Sequence, residues 1–371
     1  MPKCFILCNL NNIKSNYIVS SFAGSNMSYF LGESIPKSFD CVFINVGAPT
    51  KKWCFKEKYQ VYTIDNYKIV EFSPGLFVLP TRIGVRIMLG EAIRFILKNK
   101  NEGDKLIIYH SLSFSKYYKQ LLFSFGKNNT IIHVAELYSE AGDVSCSTEN
   151  EIKLLSNFSK YIFMSDELSR RIVASDKTKK KVMLYGAYRP INSSVKRKND
   201  SLIHVVYSGT SSRVKGGLFT ALNASMHLPS NFVFHIYCRA DDGLLAEMKK
   251  YNVIYEGYVE QQKLNDSISN FDIGLATQNP NLSFNNSSFP SKIANYLSCG
   301  LNVVSSKSKS VLESPFSNCV FYYDEDNDGH NCSNAIISAS KYIDRINNKK
   351  IIEDMNRTAK EQLMYLLEVT V

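Results

Sequence analysis

Two short stretches carry groups suited to holding an anion. In YSGTSSRVKGG (207–217) a strand-like run ends at Ser208 and Gly209. Small residues follow, then Arg213, Lys215 and a Gly–Gly pair that opens a helix. Glycine lets a backbone approach a phosphate closely, and free N–H groups at a helix start favour anions. Arginine adds a planar fork that grips two oxygens at once. In SSFPSKIANYLSCG (287–300), Ser288 or Ser291 suits a helix cap, Pro290 its first turn and Gly300 its end. Ile293, Ala294, Tyr296 and Leu297 form an apolar face. Lys292 is a cation in the first turn, where the helix dipole disfavours it. An anion beside Lys292 accounts for that placement; a capped core helix is the plainer alternative. The 207–217 loop is neither GxGxxG nor GxxxxGK[ST], which weakens nicotinamide and P-loop readings.

Such groups need a scaffold, and the chain alternates strands with helices. In the first half 4–10, 41–47, 105–112, 130–137, 161–166 and 182–188 read as strands, with 82–98 and 114–125 as helices. RPINSSVKRKNDS (189–201) reads as a linker. Beyond it 202–209, 231–238, 253–259, 271–277, 301–306 and 319–324 read as strands. Helices are expected at 215–228, 260–270, 290–299 and 332–347, and 351–368 is a last amphipathic helix. This predicts an α/β protein of two Rossmann-like, doubly wound parallel-sheet domains facing across a cleft. The expected boundaries are 1–188, a linker 189–201, 202–347, and a helix in 348–371 returning to the N-terminal domain.

The 371 residues are 44% hydrophobic, enough for two sizeable cores. Nine cysteines without a CxxC pair read as reduced thiols, and six histidines form no HxxxH pattern. The N-terminal apolar run is short for a signal peptide, and no run is long enough to span a membrane, so a cytoplasmic protein is expected. Residues 1–200 carry 29 Lys and Arg against 17 Asp and Glu; residues 201–371 carry 15 against 17. A basic half suits a polyanionic partner: nucleic acid, an anionic membrane face or a phosphate-bearing substrate. Compositional bias toward lysine is the bland alternative. Arg82, Arg86, Arg94 and Lys98 stand among apolar residues in 82–98, and KYYKQLLFSFGK (116–127) mixes aromatics with lysines. Such faces suit an anionic membrane or an ordinary core-facing helix.

Taken together, residues 202–306 resemble the donor-binding domain of the GT-B glycosyltransferases, family 4 type. YSGTSSRVKGG resembles that family's glycine loop, VIYEGYV (253–259) the strand beside which the base sits, FDIGLAT (271–277) the strand before the sugar loop, and FPSKIANYLSCGLNVVSS (289–306) its most recognisable segment. FAGSNMSYFLG (22–32) resembles the first-domain glycine loop; LIIYHSLSF (106–114) and VAELYSEAG (134–142) resemble the strand ends that follow. The resemblance implies a GT-B fold and a retaining transfer of sugar from a UDP- or GDP-type nucleotide sugar to a hydroxyl, with no metal or other cofactor. It implies an acceptor glycan on a polyprenyl-diphosphate lipid, as in O-antigen or lipopolysaccharide synthesis, on the inner face of the cytoplasmic membrane, with no nucleic acid partner. It assigns the donor to Gly209, Thr210, Arg213, Lys215, Tyr258, Ser288, Phe289, Pro290, Ser291, Lys292 and Asn295. Gly24, Ser25 and Asn26 form an acceptor or phosphate loop, and Glu136, His110 and His133 are acceptor-side catalytic candidates. The chain departs from the family at Thr210, where arginine is usual. Ser287 and Asn295 stand where two glutamates are usual, and Ala135–Glu136 where a His–Asp pair is usual. Asp241–Gly243 reads as a helix cap rather than a metal motif. Competing readings are an epimerase or phosphorylase on the same fold, and a non-catalytic binder of membrane or nucleic acid.

Overall fold

The computed structural model describes residues 1–10, 18–19, 22–46, 48–49, 58–64, 67–72, 81–142, 145–174, 176–189, 191, 200–213, 216–259 and 261–368. The chain divides into two compact units, Met1–Leu184 with Thr358–Val371, and Tyr185–Arg357.

The first unit is built on an eight-stranded sheet. Its spatial order is Lys180–Met183, Lys160–Phe163, Thr130–Val134, Lys105–Tyr109, Lys3–Cys8, Asp40–Asn45, Tyr67–Phe72 and Tyr59–Ile64. All neighbours are parallel except the last pair. KCFILC is buried from Cys4 onward, as expected where helices cover both faces of a parallel sheet. Phe5, Leu7, Ile44, Ile108 and Ile132 pack against Met88, Leu89 and Ile93 of helix Thr81–Asn99 and Tyr118 and Leu121 of helix Tyr118–Phe125. The chain starts in a central strand and winds outward both ways, so the sheet has a switch point beside Lys3–Cys8.

The second unit has a six-stranded, wholly parallel sheet. Its order is Ile254–Gly257, Phe232–Tyr237, Ile203–Ser208, Ile273–Ala276, Asn302–Ser306 and Val320–Tyr323. Val205, Tyr207, Ile236 and Ile273 form its core with Leu218 and Leu222 of helix Leu218–Ser225 and Ile336 of helix His330–Ser340. Its switch point lies between Ile203–Ser208 and Ile273–Ala276.

Several expectations need correction. The segment assigned to a glycine loop is a helix, Phe22–Ser34, with Gly24 and Ser25 in its first turn and Asn26 opening the second. Met27, Phe30 and Leu31 are buried at helical spacing, and the Ser28 hydroxyl donates back to the Gly24 carbonyl at 2.9 Å. Gly32 serves packing: a Cβ there would lie 2.4 Å from the Phe43 ring. The stretch 332–347 is not one helix. One helix is His330–Ser340, and a 23-residue helix begins at Arg345, where the Asp344 carboxylate accepts from Asn347 N–H at 3.0 Å. Segment 114–125 is likewise two pieces, Leu112–Ser115 and Tyr118–Phe125. The antiparallel strands Tyr59–Ile64 and Tyr67–Phe72 were not anticipated. The core of the expected linker, 192–199, lies outside the described residues.

Helix Arg345–Leu367 begins in the second unit and ends in the first. Just beyond it, Glu368 gathers three cations of the first sheet: Lys180 Nζ at 2.8 Å, Lys160 Nζ at 3.1 Å and Lys105 Nζ at 4.0 Å. Lys160 is buried and also donates to the Leu366 carbonyl at 2.9 Å. The bond from Lys180 above all, then Lys160, holds the Glu368 carboxyl down at about 2. A carboxylate with a depressed value stabilises the fold above its unfolded value and stops doing so as pH falls through the folded one. Glu368→Gln is therefore expected to lower thermal stability at pH 7 by about 1–2 kcal/mol, since Glu368 is 41% exposed but Lys160 would be left buried without it. In calorimetry the gap from wild type should narrow as pH approaches 2.

Candidate functional site

The second unit's site is built where strand Ile203–Ser208 ends. The Tyr207 hydroxyl lies 2.8 Å from the Thr210 carbonyl and 2.7 Å from that of Gly216, fastening both ends of the loop between them. Gly217 follows with φ +70°, and a Cβ there would fall 1.5 Å from the Thr277 carbonyl oxygen. The Thr277 hydroxyl in turn donates to the Gly217 carbonyl at 2.7 Å. Only glycine fits, because the backbone is left-handed and another main chain occupies the side-chain position. The helix thus starts at Leu218, and Lys215 lies outside the described residues.

Helix Lys292–Ser298 packs against the same strand ends. Its Tyr296 hydroxyl bonds both the amide and the hydroxyl of Ser208 at 3.0 Å, and its ring covers Gly274, where a Cβ would lie 2.3 Å from it. One turn earlier the Lys292 ammonium sits 4.1 Å from the centre of the Tyr207 ring. A Cβ at Gly209 would come within 2.7 Å of it. The residue as a whole is half-buried, yet its Nζ is shut from solvent and has no hydrogen-bond partner. Burial draws its ionisation down to about 7. The ring face offers this cation partial compensation; an anion over the glycine loop would complete it.

The remaining donor candidates divide. Thr210 belongs to the fastened loop. Phe289 is a packing wedge, with ring contacts to Tyr185 at 5.5 Å and Phe316 at 5.7 Å, and Pro290 beside it is buried. The Ser288 carbonyl accepts from Ser310. Ser291 occupies the cap position, but its side chain makes no capping bond, contrary to expectation. Asn295 is half-buried, three residues beyond Lys292. Arg213, expected to join the cationic pair, pairs instead with Glu247 and stacks 4.3 Å over Phe219. Tyr258 is exposed, with the Arg239 guanidinium 4.3 Å over its ring. Asp241 does cap helix Asp242–Met248, accepting from Leu244 N–H at 2.8 Å. Among the described residues no group of three His, Cys, Asp or Glu side chains could hold a metal.

The first unit holds a cavity of about 410 Å³ at the carboxyl ends of its strands. Asn9, Val46, Tyr109, Ser111, Glu136 and Tyr138 line it from strand ends, and Gly24 from the helix facing them. Ser25 is buried and donates to the Asn9 carbonyl at 3.5 Å; Asn26 is half-buried. The two histidines do not line the cavity. His110 is buried, with Nε2 2.7 Å from Glu151 and Nδ1 2.7 Å from the Tyr118 hydroxyl, so both nitrogens serve the scaffold. His133 is fully buried in its strand, and burial, with His110 nearby, lowers its ionisation to about 3. It stays neutral at physiological pH. Sequence reasoning missed Tyr207, Thr277 and Glu151; the one legible signal was an aromatic placed immediately before Ser208–Gly209.

No known family's sequence profile matches the chain, and no curated protein does. Solved structures do. Sucrose-phosphate synthase from Thermosynechococcus elongatus superposes with TM-score 0.69 at 13% identity, covering 99% of this chain and 100% of that one. The E. coli trehalose-6-phosphate structure bound with UDP-2-fluoro glucose gives 0.65 at 9%, covering 100% and 99%. Anabaena HepE in complex with UDP gives 0.64 at 11%, covering 98% and 100%. The fold is therefore that of the GT-B glycosyltransferases.

Gly217→Ala tests the frame of the site. Left-handed strain and collision with Thr277 are expected to cost about 2–4 kcal/mol, read as a lower denaturation midpoint. A midpoint equal to wild type would contradict the close approach.

Proposed function

We propose that the protein is a glycosyltransferase that takes a sugar from a nucleotide-diphosphate sugar, and the observation that carries this is the buried, unpartnered Lys292 ammonium against Gly209. A leaving diphosphate gains charge as the glycosidic bond to it breaks. A fixed cation in a low-dielectric seat stabilises that charge without reorganising. Lys292 carries this rather than the loop glycines, because Gly209 N–H already donates to the Tyr237 carbonyl and Gly216 N–H to that of Ser212. Neighbours of the same fold bind UDP or a UDP-sugar, which favours uridine as the base. The first unit's cavity, with Glu136 and Tyr109 in its wall, is read as the acceptor's seat, where the attacking hydroxyl meets a carboxylate. Retention, a polyprenyl-diphosphate-linked glycan acceptor and a place in O-antigen or lipopolysaccharide synthesis follow from the family resemblance.

UDP should raise the melting temperature of the wild type by mass action. Lys292→Ala should weaken UDP about 10–100-fold, the loss of a charge-assisted contact. Because the free ammonium ionises near pH 7, UDP affinity should fall as pH rises from 6 to 8.5, by calorimetric titration. Undiminished affinity in Lys292→Ala would remove the diphosphate seat.

The finer reading includes a peripheral place on an anionic membrane face. Phe123 is 92% exposed on helix Tyr118–Phe125, while Tyr118, Leu121 and Phe125 face the core. Lys119 on the same helix is exposed, as are Lys116 before it and Lys127 after it. Helix Thr81–Asn99 exposes Arg86, Ile87, Arg94 and Lys98; the side chain of Arg82 lies outside the described residues. Among the described residues no helix is long and apolar enough to cross a membrane. An exposed aromatic on a segment that also exposes lysines suits shallow insertion among acidic headgroups, each cation adding about 1 kcal/mol. The protein should float with phosphatidylglycerol vesicles at low salt, and Phe123→Ser with Lys119→Gln should reduce the floated fraction severalfold. Equal flotation with neutral vesicles would count against this face.

A further inference from the structure

Behind the wall of the first unit's cavity lies a carboxylate that does not itself line it. Glu151, on helix Thr148–Leu155, is fully buried. Its two oxygens accept from the backbone N–H groups of Tyr138 and Ser139, each at 2.9 Å. One of them also lies 2.7 Å from His110 Nε2. His110 Nδ1 is 2.7 Å from the Tyr118 hydroxyl, which in turn reaches the backbone of Ser111 at 3.3–3.4 Å. Burial pushes the Glu151 carboxyl up, but the bonds from His110 and Ser139 outweigh it and hold the group below its ordinary value. One charge thus ties together the ends of two neighbouring strands. The segment after Thr130–Val134 carries Glu136 and Tyr138; the segment after Lys105–Tyr109 carries Ser111. All three residues line the 410 Å³ cavity.

The geometry points to Glu151 as a positioning residue of the acceptor side, fixing Glu136 and Tyr138 in the cavity wall through the backbone of 138–139 and through His110. This rests on the reading of that cavity as the acceptor's seat. The chemistry is specific to a carboxylate. Two N–H groups and a ring nitrogen converge on two oxygens, and an amide would turn an N–H toward a donor. Aspartate keeps the charge but falls one methylene short.

The test uses the whole 371-residue chain, with amide hydrogen exchange at Tyr138 and Ser139. It adds steady-state kinetics with UDP-glucose and an extracted polyprenyl-diphosphate-linked glycan. Glu151→Gln should speed exchange at both amides roughly tenfold or more. It should raise the KM for the glycan while the KM for UDP-glucose stays unchanged, and Glu151→Asp should recover part of both losses. Tyr118→Phe, which keeps the buried ring and removes only the hydroxyl under His110, should show the same pattern more weakly. It carries the test if Glu151→Gln does not fold. Unchanged exchange at both amides in the variants, or donor and acceptor KM rising together, would overturn the assignment. Failure of UDP to bind the wild type sinks the transferase reading and the acceptor role with it, while the brace on the Tyr138 and Ser139 amides still stands or falls by exchange; unaltered protection of Tyr138 and Ser139 sinks this inference alone.

Discussion

The second unit's site depends on one contact, the seating of Tyr296 over Gly274 with its hydroxyl on Ser208. The ring needs the space that a side chain at 274 would fill, and the hydroxyl needs the strand end it caps. Together they fix helix Lys292–Ser298 against the two strands that flank the switch point. Lys292, one turn earlier, lies over the Tyr207 ring and against Gly209. Its charge is held by geometry that packing imposes. A burial that would be unfavourable for an isolated cation is offset in part by the Tyr207 ring face beneath it.

The first unit solves a related problem with the opposite sign. The loops after its strands would be irregular backbone at the sheet's edge, with N–H groups to satisfy. Glu151 satisfies two of them and orients His110. The cavity wall is therefore braced by a buried acid, as the loop after Ile203–Ser208 is braced by Tyr207 and Thr277. At the far end of the chain Glu368 brings the last helix onto three lysines of the same sheet, so residues distant in sequence complete the first unit.

The charge imbalance finds its physical expression here. Some of the first half's cations are consumed internally, Lys160 and Lys180 by Glu368 and Arg171 by Glu140. Others stay exposed: Lys119 on the helix that bears the exposed Phe123, and Arg86, Arg94 and Lys98 on helix Thr81–Asn99. The surplus in the sequence is thus divided between structural clasps and a solvent-facing basic surface.

The sequence by itself determined the alternation of strands and helices and the two-sheet α/β class. It also determined the helix end at Gly300 and the oddly placed Lys292, because periodicity and capping are encoded within a few residues; Pro290, expected in the first turn, precedes the cap residue Ser291. The tertiary structure decided which side chains find partners. Arg213, expected beside the diphosphate seat, is taken by Glu247; His110, expected at the acceptor, is taken by Glu151; Gly24–Asn26, expected in a loop, is helical because Met27, Phe30 and Leu31 are drawn into the core. Each outcome turns on a contact across strands or between helices far apart in the chain. Such contacts are set by strand order and register, which local residue patterns do not contain.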